Sequence, residues 1–232
     1  MNTQKLFTWK ICFSCFLFAL TSCKPTVVVQ EPDTGPIKFI DGYLDVPNAV
    51  LINAYCILSE DNTNGIAIAS SEINNGNFKL ILPDTLDDKF LYGTFGESNE
   101  YFELSCPNVR GAIINYIEIY NSFSATDSHR IGQVFCGKYF EKRNTAIEYY
   151  VHEVNKVWYY ADKDVTIKGT GNQGHQISTY DLSLKKGWNE AYWEEITDLN
   201  RQTGAYTWTL IITSKKSEKY KDLKWYIWDG TW

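Results

Sequence analysis

The sequence predicts an all-β protein built as one or two antiparallel β-sandwich domains. Three observations carry this expectation. Aromatic residues make up 16% of the 232 residues, and with many β-branched neighbours they suit a pleated, half-buried surface. Tyr206, Trp208, Leu210 and Ile212 alternate with Thr207, Thr209 and Thr213, the period of two that marks a strand with one buried face. Turn-forming clusters such as Asn62-Thr63-Asn64-Gly65, Asn74-Asn75-Gly76-Asn77, Lys185-Lys186-Gly187 and Asp229-Gly230 recur between short apolar runs, which is the spacing of hairpins. No stretch has a convincing helical period.

Taken in order, strands are expected at 38–44 and 49–58, the second alternating Val50, Ile52, Ala54 and Cys56. Further strands at 66–73 and 78–82 are joined by the Asn75-Gly76 turn, and one more is expected at 89–95. Ser105-Cys106-Pro107-Asn108 then breaks the pattern, because Pro107 cannot donate to a central ladder. The break divides the body into domains at 37–105 and 106–232. Beyond it, strands are expected at 112–120, 131–135, 146–154, 157–161, 164–168, 178–184, 190–194, 206–213 and 224–228. Residues 121–130 are polar and read as loop. Residues 194–202 admit one or two helical turns, ended by Gly204. In the tail, alternation places Trp225 and Ile227 on one face and Tyr226 and Trp228 on the other.

The N-terminus carries an address. Lys5 and Lys10 precede an apolar run at 11–20, and Leu20-Thr21-Ser22-Cys23 follows. This order is that of a secretory signal with a thiol immediately after the cut. The run is half the ~20 residues that a spanning helix needs. Residues 1–22 are therefore expected to be a signal peptide of the lipoprotein type. Cys23 would carry palmitate-like acyl chains, and two or more such chains hold a protein stably to a membrane. Residues 23–36 hold Pro25, Pro32, Gly35 and Pro36 and read as an extended tether. The triple valine at 27–29 is an alternative edge strand.

Removing Lys5 and Lys10 with the leader leaves 20 basic against 28 acidic residues, a formal charge of −8. An acidic surface argues against nucleic acid and against electrostatic binding to anionic lipid. The expected partners are the membrane, through the lipid on Cys23, and a protein or glycan. Among the six cysteines, Cys12 and Cys15 fall in the leader and Cys23 is the lipid site. Cys56, Cys106 and Cys136 remain, an odd number for an exported protein. Cys56 lies in an apolar strand and reads as a small hydrophobe. Cys106 and Cys136 each border a loop and are the better bridging pair, with three free thiols as the default.

The leader resembles that of exported lipoproteins of Gram-negative bacteria of the Bacteroides kind. Lys24 follows Cys23, so the aspartate that retains enterobacterial lipoproteins at the inner membrane is absent. Glu31 and Asp33 lie too far on to form a surface-display signal. The resemblance implies an outer-membrane protein facing the periplasm. Residues 46–83 are also similar to the carboxypeptidase-regulatory-like, transthyretin-like sandwich. An alternating strand is followed by Asn75-Gly76-Asn77-Phe78 and an apolar run ending at Pro83. The hairpin requires Gly76 at positive φ, with Phe78 plugging the sandwich end. Asn74-Asn75-Gly76 departs from the family's usual turn. The resemblance implies a non-catalytic accessory module without site residues. The C-terminal half, at 159–169 and 180–189, resembles uncharacterised lipoproteins, and that resemblance supplies no activity.

Catalytic patterns are few. His152-Glu153 begins a zinc-protease motif, but Lys156 stands where the second histidine belongs and the context is a strand. Gly169–Gly174 has G-x-G-x-x-G spacing with no helix to follow, so it reads as a loop. Glu194 and Glu195 fall on alternate faces of a strand, and Asp87-Asp88 in a loop, so neither pair is placed across a sugar. Asp162 and Asp164 are weak candidates for a hard cation such as calcium. No catalytic residue and no cofactor is expected. The candidate contacts for a glycan or protein partner are Trp188, Trp193, Trp225 and Trp228, with core packing as the competing role. The favoured reading is a non-enzymatic accessory or scaffold protein, and a glycan-binding lipoprotein is the alternative.

Overall fold

The structure is a computed structural model that describes residues 35–57, 65–92, 102–106 and 108–228. The leader, Cys23, most of the tether and Asp229-Gly230 lie outside the described residues. Strands make up 64% of the structure, and the expected all-β class stands, with a sandwich-like arrangement. No helix among these residues is long and apolar enough to cross a membrane.

The first strands are β1 (Phe39–Tyr43), β2 (Leu51–Ile57), β3 (Gly65–Glu72) and β4 (Asn77–Ile81). After them come β5 (Phe102–Leu104), β6 (Gly111–Ile113) and β7 (Tyr116–Tyr120). The long strands are β8 (Arg130–Asn144), β9 (Glu148–Ala161), β10 (Val165–Gln173), β11 (Gln176–Leu184) and β12 (Gly187–Asn200). The chain ends with β13 (Tyr206–Thr213) and β14 (Lys224–Trp228). β1 and β4 form a ribbon, and the other strands one sheet ordered β3-β2-β7-β8-β9-β12-β13-β11-β10-β5, with β14 beside β8 and β6 beside β9. The pairs are antiparallel except β11 with β13, which run parallel. The parallel pair arises because the β12–β13 hairpin inserts between β11 and β9.

The sheet forks. β8 and β9 pair from the hairpin end as far as Gly137 opposite Asn155. Beyond that point β8 takes β14 as its partner and β9 takes β6. A Cβ on Gly137 would collide with the Val154 carbonyl oxygen and with Asn155 Oδ1, so glycine permits the close approach at the fork. The wedge between the parted layers is filled by one apolar cluster. It includes Ile52, Phe78, Leu80, Ile119, Trp158 and Trp188, with Trp225 packed against it. At the sheet's other face, Leu182, Leu184, Leu210 and Ile212 pack with Cys106 and Val109 in a second cluster.

Several expectations are corrected. The break near 105–110 does not separate two units. β2 and β7 share a ladder across it, β5 pairs with β10, and Phe78 meets Trp225 edge-on at 5.0 Å. The strands expected at 146–154 and 157–161 are one strand, β9. Residues 194–200 continue β12 rather than forming helical turns, because β9 and β13 pair with them on both sides. The glycines at 169 and 171 lie within β10, and only Gly174-His175 turns. In place of a strand at 89–95 stands a 3₁₀ turn at Asp88–Phe90, after which Tyr92 bridges to Gly111; 93–95 lie outside the described residues. Cys56 and Cys136 are free and buried. The bridge expected between Cys106 and Cys136 is therefore not formed, since Cys136 is a free thiol. The tight turn expected at Asn75-Gly76 forms, with φ of 50° and 79° at the two residues, the conformation of a type I′ turn, but it leads from β3 of the large sheet into β4 of the ribbon, and the two strands do not pair as a hairpin beyond the Asn74–Asn77 bridge.

Candidate functional site

The candidate binding residues separate by burial. Trp188 is 2% exposed and donates its Nε1–H to the Pro83 carbonyl at 3.0 Å, so it is a core residue with no face for a ligand. Trp225 lies against Phe78 and stacks on Trp158, with Gly42 seated against its indole. Trp188 is a buried member of the first cluster, and Trp225 is half-buried and packed against it. Trp193 is half-buried and packs on the second cluster. Trp228 is half-buried beside Phe135 on the outward side of β14. Asp162 accepts from the Arg110 backbone N–H at 2.8 Å and its side chain at 3.4 Å. Asp164 accepts from the Lys186 backbone N–H at 2.8 Å and from Lys185 Nζ at 3.2 Å. Their carboxylates thus tie down loop backbone, and no group of three or more His, Cys, Asp or Glu suited to a metal occurs among the described residues.

Adjacent residues of β9 and β12 build two different environments on the two faces of the sheet. On one face Glu194, 4% exposed, accepts from His152 Nε2 at 2.8 Å, Lys219 Nζ at 2.5 Å and Tyr220 O–H at 2.9 Å. Burial by itself would raise its pKa, but hydrogen bonds from Lys219, His152 and Tyr220 outweigh it and hold the carboxyl below its ordinary value. Tyr220 stacks on Tyr192 at 4.5 Å. The network fastens the 3₁₀ turn Glu218–Tyr220 onto the sheet.

On the opposite face the registers align one row straight across six strands. Tyr139 of β8 stands opposite Glu153 of β9, and Glu153 opposite Glu195 of β12. Glu195 stands opposite Leu210 of β13, Leu210 beside Ser178 of β11, and Ser178 opposite Gly171 of β10. The next row carries Val151, Thr197, Trp208, Gln176 and Gln173. The second apolar cluster closes the lower part of this face. The upper part holds half-buried polar and aromatic groups. At its β10–β11 end, Phe102, Gly171, Gln173, Gln176, Ser178 and Tyr180 line a depression of about 110 Å³.

Hydrogen bonds fix the polar groups in this row. Asn155 Nδ2 donates to Glu153 Oε1 at 3.1 Å, and Tyr226 O–H donates to Asn155 Oδ1 at 2.6 Å. Thr197 Oγ1 donates to Glu195 Oε1 at 3.0 Å. Desolvation, then the Glu195 charge, pushes the Glu153 pKa up. Burial, with Glu153 beside it, pushes the Tyr139 hydroxyl up to about 12. Tyr226 stacks against Phe135 at 5.9 Å and meets Tyr139 at 6.1 Å. Trp208 Nε1 is buried without a hydrogen-bond partner among the described residues. Sequence reasoning named Trp208 as a strand residue and Glu195 as a carboxylate but joined neither to Glu153, because partner strands far apart in the chain decide which residues face each other.

Compared with known proteins, the chain matches no family model, no curated protein and no solved structure.

Proposed function

We propose that this protein is a lipid-anchored, non-enzymatic accessory or scaffold component of the cell envelope. Cys23 holds it to the outer membrane on the periplasmic side, and the upper part of the large sheet face is its working surface. The observation that carries the reading is that half-face, on which Tyr139, Glu153, Glu195 and Trp208 stand in two adjacent rows of the sheet. The lipobox supports the anchorage. The tight turn at Asn75-Gly76, with Phe78 5% exposed, supports the likeness of this segment to an accessory sandwich. Glu194 is committed to internal partners, as are Asp162 and Asp164, which fits carboxylates used for architecture.

The test is metabolic labelling with an alkynyl fatty acid, followed by membrane fractionation. The wild-type chain is expected to take label and sediment with outer membranes. Cys23→Ala is expected to lose the label and to leave the membrane or stay unprocessed. Undiminished label in Cys23→Ala overturns the anchorage.

A further inference from the structure

β1 presents an open edge. Its only strand partner among the described residues is β4. At one end of the ribbon Leu82 N–H donates to the Lys38 carbonyl, and at the other Leu44 N–H donates to the Gly76 carbonyl. Opposed residues in an antiparallel ladder alternate between bonded and non-bonded pairs, so in this register Ile40 and Gly42 turn their N–H and C=O groups toward β4. Phe39, Asp41 and Tyr43 turn theirs the other way, and no backbone group of the described residues bonds to them. Backbone pairing of this segment with β12 stops at the bridge of Ile37 with Trp188, because β12 begins at Gly187 and runs the opposite way. A row of unpaired donors and acceptors takes one kind of occupant, another extended strand.

Both faces beside that edge are apolar. Outward lie Phe39 and, opposite it, Ile81, 41% and 62% exposed, with Tyr43 57% exposed at the far end of the strand. Inward, Ile40 is buried and the indole of half-buried Trp225 lies against Gly42. Asp41, the one charged residue of β1, is opposed by Lys79. A strand added here therefore needs apolar side chains on both of its faces, as a strand covered on both sides does.

We propose that residues 26–31 of the tether dock antiparallel on β1 as the outer strand of the ribbon. Thr26-Val27-Val28-Val29-Gln30-Glu31 stands between Pro25 and Pro32. Prolines cannot donate and so bound a strand, and the six residues between them match the five of β1. Three successive valines place a β-branched side chain on each face in either register, one over Phe39 and Tyr43 and another toward Ile40 and the Trp225 indole. Pro32-Asp33-Thr34-Gly35-Pro36 has the residues of a turn. The link 32–38 reaches ~24 Å when extended, well beyond the ~4.8 Å between neighbouring strands. The consequence for reach rests on the reading that Cys23 carries the lipid. Docked, the tether leaves only Lys24 and Pro25 between the lipid and the body, and the Tyr43 end of the ribbon is held at the membrane. Undocked, residues 24–34 would let the body stand as much as ~40 Å away.

The experiment follows backbone amide hydrogen exchange by NMR in the mature full chain in detergent micelles, with Val28→Pro as the variant. Ile40 and Gly42, bonded to β4, are expected to be protected in both proteins and so report an intact ribbon. Phe39, Asp41 and Tyr43 are expected to exchange at least tenfold more slowly in the wild type than in Val28→Pro. Loss of protection at all five amides in the variant also supports docking, since the substitution lies outside the ribbon. Equal rates at Phe39, Asp41 and Tyr43 in the two proteins overturn the proposal, because fast rates mean an open edge and slow ones a different occupant. Protection that falls on dilution, with a dimer in sedimentation, assigns the edge to a second copy and overturns it too. Fatty-acid labelling at Cys23 is a separate readout. Normal label with equal exchange rates removes the docking and leaves the anchor, and loss of label with the expected protection does the reverse.

Discussion

Trp158 and Trp225 stack with ring centroids 5.8 Å apart and planes 9° from parallel, across the fork where β8 and β9 part. One ring belongs to β9 and the other to the last strand of the chain. The contact therefore closes the wedge of the fold by joining residues far apart in sequence. Removal of Trp225 leaves a cavity that Gly42, Phe78 and Trp158 line. Trp225 is half-buried, so Trp225→Ala is expected to lower unfolding stability by less than the ~3–5 kcal/mol of a fully buried large aromatic, by about 2–3 kcal/mol. Urea denaturation followed by circular dichroism measures it. An unchanged midpoint would refute the wedge role.

Gly137 and Gly132 both lie on β8, but their neighbours differ in stiffness. A Cβ at 137 meets the Val154 backbone carbonyl, whereas one at 132 meets an Ile227 methyl at 3.1 Å. Gly137→Ala is expected to cost about 1–3 kcal/mol, as overpacking does, and more than Gly132→Ala. Equal melting temperatures for the two variants would contradict a tight fork.

Glu194 and Glu153 predict opposite pH responses. The Glu194 carboxyl sits below its ordinary value of 4.5. Its contribution is fully present above that value and is lost as pH falls through the lower folded pKa. Glu194→Gln is expected to destabilise at neutral pH and to flatten the acid limb of the stability curve. Removing one member of a buried ion pair typically costs ~3–5 kcal/mol, and a glutamine that keeps part of the hydrogen bonding loses less. Thermal melts from neutral pH down into the acid limb check the shape, and an acid limb as steep as wild type would contradict the assignment.

Glu153 has the reverse sign. Its pKa is raised by burial and by Glu195, so its charged form opposes folding at neutral pH. Stability from this group rises as pH falls through its raised folded pKa toward the ordinary carboxylate range. Glu153→Gln is expected to raise the melting temperature at pH 7 by a few degrees, the effect of ~1 kcal/mol. A lower melting temperature would show that the carboxylate is stabilising where it stands.

The free thiols Cys56 and Cys136 are buried. Desolvation pushes their pKa values up to about 12 and about 11, which leaves almost no thiolate at pH 8. Maleimide is expected to leave both residues unmodified in the native protein and to label both in urea. Peptide mass spectrometry reads the two sites, and rapid native labelling would contradict their burial.

Local chemistry wrote the strand content into the sequence. Alternation at 206–213 puts Leu210 and Ile212 inward, as found. The closing strand at 224–228 has the expected bounds and sidedness, and the Asn75-Gly76 turn has the expected positive φ. These features depend on side-chain period and on which residues tolerate a left-handed backbone, both readable a few residues at a time. Long-range pairing decided the rest. The break at Cys106-Pro107 reads as a boundary because a proline interrupts a ladder locally, yet β2 and β5 on its near side bond to β7 and β10 on its far side. Trp188, Trp193, Trp225 and Trp228 look alike in sequence, and only the layers packed over each ring separate core from surface. The opposition of Glu153 to Glu195, with Trp208 in the next row, exists only because β9, β12 and β13 lie side by side in one register. A one-residue slip in any of them would turn that strand's side chains to the other face. The sequence by itself determined the all-β class and most of the strands and turns; tertiary pairing decided which carboxylates, amides and rings meet, because register is a property of partner strands and no single strand carries it.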